Sequence, residues 1–137
     1  GKVLAGKKVS ISDLGSRVMV QHRDSLAVYA YNGSSSYSMV GSPISISPND
    51  SCSFSKDGDH ILVGNPDSGV VRSYKYVLSN LDFSLVGDPI ESDPIILFGK
   101  STSISKDGSS IAVSAPLYNS VLSVENIGGV AVYKYEK

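Results

Sequence analysis

The sequence predicts an all-β fold built from about three repeats of four antiparallel strands. Three observations lead to this prediction. The same series of short segments recurs along the 137 residues, apolar residues follow the two-residue period of strands, and Gly, Pro and Asp separate the segments. No stretch has a convincing helical period.

The first segment of each repeat is predicted to be an alternating strand that ends in a turn. Its three copies read Ser10-Ile-Ser-Asp-Leu-Gly15, Ser53-Phe-Ser-Lys-Asp-Gly58 and Ser103-Ile-Ser-Lys-Asp-Gly108. Alternation of apolar residues with Ser is typical of a strand with one buried face. Asp-Gly supplies the positive φ that a tight hairpin needs.

The second segment is apolar without alternation, which suits a strand that is covered on both faces. Its copies read Val18-Met-Val20, Ile61-Leu-Val63 and Ile111-Ala-Val113.

The third segment is rich in Val and ends in a pair of tyrosines. The pairs are Tyr29-Ala-Tyr31, Tyr74-Lys-Tyr76 and Tyr133-Lys-Tyr135. Alternation places both rings of a pair on one face, where we expect them to pack between repeats with their hydroxyls at the rim. The alternative is a set of stacking platforms for sugars or for an aromatic-rich partner.

A fourth segment completes the first two repeats. Its copies, which share Ser, Val, Gly, Pro and Ile, read Tyr37-Ser-Met-Val-Gly-Ser-Pro-Ile44 and Phe83-Ser-Leu-Val-Gly-Asp-Pro-Ile90. Because Pro cannot donate to a sheet, we expect Pro43 and Pro89 to end this strand.

A four-stranded unit of about 43 to 50 residues has the size of one propeller blade. We therefore predict a single all-β repeat domain over residues 1–137, with β-propeller-type blades at about 4–47, 48–94 and 95–137. The third blade lacks its fourth strand. A β-sandwich is the alternative, which explains the alternation but not the repeat. Closed propellers use at least about four blades, so we expect further blades from the same longer chain or from other copies.

The third repeat resembles the FG-GAP repeat, the blade of integrin-α-type β-propellers. Phe98-Gly99 precedes its Ser-rich strand, and Ser114-Ala115-Pro116 follows its apolar strand. The second copy departs from the pattern, with Pro48-Asn49 and Gly64-Asn65-Pro66 at these places. The resemblance extends over the whole chain and implies propeller blades that present loops to partners.

Members of this family often bind calcium in the hairpin between the first two strands. Here Asp57 with Asp59, or Asp107 alone, offers too few oxygens for the six to eight ligands that calcium takes. We interpret these residues as plain hairpin turns and predict no metal and no cofactor.

Composition excludes several other partners. The formal net charge is −1 with no basic cluster, so we expect no nucleic acid, and no apolar run is long enough for membrane insertion. Cys52 is the one cysteine, so no disulfide is predicted within the chain.

Asn32 and Asn49 begin Asn-x-Ser sequons and are possible glycosylation sites. The resemblance to FG-GAP propellers implies an extracellular or surface location.

The sequence predicts no catalytic residue, and we expect no enzyme activity. His22-Arg23-Asp24 is not accompanied by other kinase motifs, and His60 is interpreted as a surface residue at the start of a strand.

The predicted contact surface is the loop after the second strand of the third repeat, which is longer than its counterparts. Binding functions often lie on such insertions. The candidate contact residues are Leu117, Tyr118, Asn119, Val121, Leu122 and Val124.

These observations lead to a main hypothesis and two alternatives. The main hypothesis is a non-catalytic binding or scaffolding module that contacts a protein or glycan partner. The alternatives are a purely structural building block of a filament, shell or coat, and the accessory propeller of a secreted enzyme.

Overall fold

The computed structural model describes residues 6–119 and 127–136, which form three antiparallel sheets. The first contains β1 (Lys8–Ile11), β2 (Arg17–Gln21), β3 (Ser25–Tyr31) and β4 (Tyr37–Ser45), paired in that order. The second pairs β5 (Ser51–Phe54), β6 (His60–Asn65), β7 (Val70–Val77) and β8 (Asp82–Leu85), and β9 (Ile90–Glu91) also pairs with β7. The third contains β10 (Thr102–Ile104), β11 (Ser110–Ala115) and β12 (Gly129–Lys134), and a short 3₁₀ turn, Pro94–Ile96, precedes it.

The three sheets stack face to face in chain order. Residues that are paired across neighbouring strands lie on the same face of a sheet, so the register assigns every strand residue to a face. We call the face that a sheet turns toward the preceding sheet its leading face, and the opposite one its trailing face. One hydrophobic cluster fills each of the two junctions between sheets.

The first junction packs the trailing face of the first sheet on the leading face of the second. Its buried residues are Met19, Leu26 and Val28 on one side and Cys52, Ile61 and Val63 on the other. The second junction joins the second and third sheets in the same way. Its buried residues are Leu62, Val71, Phe98, Ile111, Val113 and Ala115.

Strand β6 is covered from both sides, as predicted from its unbroken apolar run. Ile61 and Val63 point into the first junction, while Leu62 points into the second. The side chains of Ile61 and Leu62 have no exposed surface. A strand in the middle of a stack has no polar face, which is why alternation disappears from its sequence.

The turn between the first two strands is fixed in the same way in each repeat. A serine hydroxyl accepts the backbone N–H five residues further on: Arg17 to Ser12 at 3.0 Å, His60 to Ser55 at 2.9 Å and Ser110 to Ser105 at 3.0 Å. A positive φ at Gly15, Gly58 and Gly108 completes the hairpin.

The three turns lie together at one end of the strands. The Asp13 N–H donates to the Lys56 carbonyl at 2.8 Å, and the Asp57 N–H donates to the Lys106 carbonyl at 3.1 Å. Lys106 also pairs with the carboxylate of Asp13 at 3.3 Å. The two exposed side chains are 93 residues apart in the sequence and belong to the turns of the first and third sheets. These contacts between turns fix how neighbouring sheets are placed relative to each other.

The prediction that Pro43 ends the fourth strand is wrong, because β4 continues to Ser45. Val40 pairs with Val28 and Ile44 pairs with Leu26, so the residues between them form a bulge. A bulge requires no amide hydrogen from Pro43, which is why the strand accepts it. In the second sheet the same segment is divided, and β9 resumes pairing with β7 directly after Pro89.

The fold is thus all-β, with separate antiparallel sheets stacked like the blades of a propeller, and the β-sandwich alternative is wrong. Among the described residues, no helix has the length and apolar character needed to cross a bilayer.

Candidate functional site

The strongest candidate site is a cavity at the outer edge of the third sheet. Its volume is about 350 Å³, at the lower end of the range for small-ligand pockets. Most of its lining is apolar or aromatic, and the residues are Ser92, Ile96, Phe98, Ala115, Tyr118, Gly129, Val130, Ala131 and Tyr133. A cavity of this size and composition fits one or two apolar side chains better than a large polar ligand.

Tyr118 forms one wall of this cavity, and the backbone holds it there. Its N–H donates to the Ala115 carbonyl at 3.0 Å, and its own carbonyl accepts from the Gly128 N–H at 3.1 Å. The ring lies over Gly129, where an added Cβ would come within 3.2 Å of it. Gly129 therefore leaves room for the ring, and 46% of Tyr118 remains exposed.

The opposite wall comes from the edge strand β12. Tyr133 lies on the leading face of the third sheet, yet 37% of it stays exposed. Within residues 6–119 and 127–136, no strand pairs with the outer edge of β12, whereas β3 and β7 are each followed by a further strand. An exposed edge offers backbone N–H and C=O groups to an added strand.

The structure locates only part of the predicted contact loop. Leu117 and Asn119 lie next to Tyr118 and are exposed, but neither lines the cavity. The other three predicted contact residues, Val121, Leu122 and Val124, lie outside the described residues.

The sequence prediction did not include the rest of the cavity, which comes from Phe98 and from β12. Phe98 is only 3% exposed and was assigned to a repeat motif rather than to a site.

The tyrosine pairs differ according to their neighbours. Tyr74 and Tyr135 pack against the two core clusters, as expected for rings between blades. Tyr31 is 49% exposed and lies 5.4 Å from the Tyr37 ring, centre to centre. The Tyr76 ring lies 5.3 Å from the Phe83 ring, centre to centre, and the guanidinium of Arg17 from the first sheet lies 4.5 Å from the centre of the Tyr76 ring.

A second, polar cavity of about 500 Å³ lies between the turns of the second and third sheets. Its lining includes Asp57, His60 and Asp107, so it resembles a catalytic or metal site at first sight. Asp57 and Asp107, however, accept hydrogen bonds within their own turns, from the Asp59 N–H at 2.9 Å and the Ser109 N–H at 3.0 Å. Among the described residues, no group of three or more His, Cys, Asp or Glu side chains could hold a metal ion.

The interpretation of His60 as a surface residue is wrong. Its side chain is 14% exposed, and its ring leaves no space for a side chain at Gly108 of the third sheet, where an added Cβ would come within 2.4 Å. Arg17 has the same position one repeat earlier and donates to the Gly58 carbonyl at 3.0 Å. This position makes an inter-sheet contact in both repeats.

Other candidate residues have structural partners. Burial raises the pKa of the Cys52 thiol to about 12, so this cysteine carries no thiolate near neutral pH. Asn32 lies in the exposed hairpin between β3 and β4, where its side-chain oxygen accepts the Ser34 N–H at 2.9 Å. Asn49 is also exposed, and its amide donates to Asp67 at 3.1 Å.

Comparison with solved structures places this arrangement among propellers. The Cps50 (Swd1) β-propeller domain of Myceliophteria thermophila matches 94% of the chain with a TM-score of 0.65 at 11% identity. Hydrazine synthase of Kuenenia stuttgartiensis matches 87% with a TM-score of 0.55 at 15% identity. A protein of unknown function from Desulfotomaculum acetoxidans matches 94% with a TM-score of 0.51 at 16% identity.

These likenesses define the class of fold, that of β-propeller blades, and nothing finer. The chain covers 38%, 32% and 46% of those three structures, so it spans less than half the length of each. No protein-family model and no curated protein matches the sequence.

Proposed function

We propose that this chain is a non-catalytic binding module of the FG-GAP-like kind, which contacts a protein partner through the cavity between Tyr118 and β12. The observation that carries the proposal is the combination of an apolar cavity with an adjacent strand edge to which no other described strand is paired. An extended peptide satisfies both features, because its backbone pairs with the edge while one side chain enters the cavity. An extracellular or surface location is part of the proposal and is supported by the exposed sequon at Asn32.

The experiment is selection of short peptides from a displayed random library, followed by affinity measurement by calorimetry. Binders are expected to be extended peptides with an aromatic or branched apolar residue. Tyr118→Ala is expected to weaken them about ten-fold or more, because an aromatic wall is removed from the contact. Tyr31→Ala is the matched control, since Tyr31 is 49% exposed against 46% for Tyr118 but lies in the first sheet.

A glycan array on the same protein tests the other partner class. Reproducible sugar binding that is abolished by Tyr118→Ala would show that the ligand is a glycan rather than a peptide. Failure of both the library and the array, with a normally folded protein, would refute the binding proposal.

A second candidate function is a structural building block of a larger assembly. It is favoured by a different observation, the apolar residues that remain exposed on the outer face of the first sheet, including Val9 and Ile11.

A further inference from the structure

The leading face of the first sheet is apolar and open. The register pairs Val9 with Val20 and Ile11 with Val18, and Tyr29 with both Val18 and Met39, so these residues lie on one face. No charged strand residue of β1, β2 or β3 lies on that face. Val9 is 64% exposed, Ile11 56% and Met39 51%.

The residues of the other two sheets that correspond to Val9, Val18 and Val20 are more deeply buried, in the junctions. Val9 corresponds to Cys52, which has no exposed surface. Val18 and Val20 are half-buried, whereas their counterparts Ile61 and Val63 are 0% and 6% exposed. The first sheet therefore has the surface of a junction, but none of the described residues forms a sheet over it.

The trailing face of the third sheet is open in a complementary way. It carries Ser103, Ala112, Val130 and Val132, together with Ser110, Ser114 and Lys134, and the two valines are 72% and 66% exposed. In the second sheet the equivalent face carries Ser53, Leu62, Val71 and Ser73, and it is buried against the third sheet. Small residues on a trailing face let the larger residues of a leading face approach closely.

The polar groups of the two open faces also correspond to those of an existing junction. At the second junction the Ser51 hydroxyl donates to the Gly99 carbonyl at 2.8 Å, and the Ser53 hydroxyl donates to the Thr102 carbonyl at 2.5 Å. Ser103, on the trailing face of the third sheet, corresponds to Ser53 of the second sheet. Val9, on the leading face of the first sheet, corresponds to Thr102 of the third. The Ser103 hydroxyl can therefore donate to the Val9 carbonyl of a second copy.

We infer that the chain pairs head to tail with a second copy of itself, the leading face of the first sheet packing on the trailing face of the third. Both faces belong to this chain, and the same pairing already occurs twice within it. The three described sheets of each copy give six blades for a pair, which lies within the about four to eight blades of closed propellers. This pairing goes beyond the proposed function and does not use Tyr118.

The test is the mass of the 137-residue chain in solution, measured by light scattering and by sedimentation over a range of concentrations. The expected species has twice the monomer mass of 14.4 kDa. Val9→Asp and Val132→Asp each place a charge on one open face, at positions that are 64% and 66% exposed and therefore tolerant of substitution. Each variant alone is expected to be monomeric. Leu78→Asp, at a site 78% exposed in the β7–β8 turn, is the control that keeps the dimer.

Mixing the two variants distinguishes head-to-tail pairing from every other arrangement. Val9→Asp leaves the trailing face of the third sheet intact, and Val132→Asp leaves the leading face of the first sheet intact. These two faces fit together, so the mixture is expected to form a one-to-one dimer through one junction. A mixture that stays monomeric would refute the inference, as would a Val132→Asp protein that remains dimeric. A wild-type protein that is monomeric throughout, or whose mass grows continuously with concentration, would also overturn it. Tyr118→Ala is expected to leave the mass unchanged, so loss of peptide binding in this variant with an unchanged mass separates the two proposals.

Discussion

Leu62 is the residue on which the packing of the second and third sheets depends most directly. It is fully buried and points from β6 into the second junction. Leu62→Ala is expected to lower the free energy of unfolding by about 2–5 kcal/mol, because it removes apolar contacts and leaves a cavity. Urea denaturation measures this change.

Leu14→Ala is the matched control for that substitution, since Leu14 is 93% exposed in the first turn. Its expected effect is within about 0.5 kcal/mol of the wild type. Equal effects of the two substitutions would show that the described junction does not stabilise the fold.

Two carboxylates give opposite dependences of stability on pH. Hydrogen bonds from Ser109, and then from Ser105, hold the pKa of Asp107 well below its usual range. Burial raises the pKa of Asp50, whose buried Oδ1 accepts no hydrogen bond from the described residues. Ionised Asp107 therefore stabilises the fold above the usual Asp pKa of about 3.9, and this contribution is lost as the pH falls. Protonated Asp50 contributes stability that is complete below that pH and is lost as the pH rises through its folded-state pKa.

The Asp107→Asn and Asp50→Asn variants test these signs. As the pH falls from about 5 to about 3, the free energy of unfolding of the wild type is expected to decrease relative to that of Asp107→Asn. Over the same range it is expected to increase relative to that of Asp50→Asn. Urea denaturation at a series of pH values measures both differences. Differences that change in the same direction would contradict the proposed environments.

At the scale of elements, neighbouring sheets approach most closely where Gly64 of β6 meets Gly99. A Cβ at residue 64 would come within 2.4 Å of the Gly99 carbonyl oxygen, a backbone atom that cannot rotate away. At the corresponding place in the first sheet, Gln21 instead reaches across and donates to the Asp50 carbonyl at 3.0 Å. At the second junction Gly64 faces Gly99, whereas at the first junction Gln21 has the place of Gly64 and Asn49 has the place of Gly99.

This close approach predicts that Gly64→Ala destabilises the fold by about 1–3 kcal/mol, the usual cost of overpacking. Thermal or urea unfolding measures the change. Because the obstructing atom belongs to the backbone, a second substitution that shortens a neighbouring side chain, Thr102→Ser, is not expected to restore the stability of Gly64→Ala. Wild-type stability of Gly64→Ala would show that the two sheets lie further apart than described.

Local patterns predicted the strands because burial on one or both faces leaves a direct mark on the sequence. The two-sided burial of β6 is such a case. The bulge at Pro43 was missed because the rule against Pro applies to regular pairing, and a bulge is set by contacts with β3. His60 was misassigned because its neighbour, Gly108, is distant in sequence, and the cavity was only partly predicted because β12 contributes to it through the fold.

At the scale of the whole molecule, stability is expected to be highest in the middle of the stack. The second sheet is covered on both faces, whereas the first and third are each covered on one, and stacked repeats gain stability mainly from contacts with their neighbours. Native-state hydrogen exchange of the monomeric Val9→Asp variant is therefore expected to show the slowest amides in β6 and much faster ones in β1 and β12. In the wild-type dimer, β1 and β12 are expected to slow while β6 changes little, because the added junction covers only the outer sheets. Uniform protection across all three sheets would mean that the stack opens in a single step.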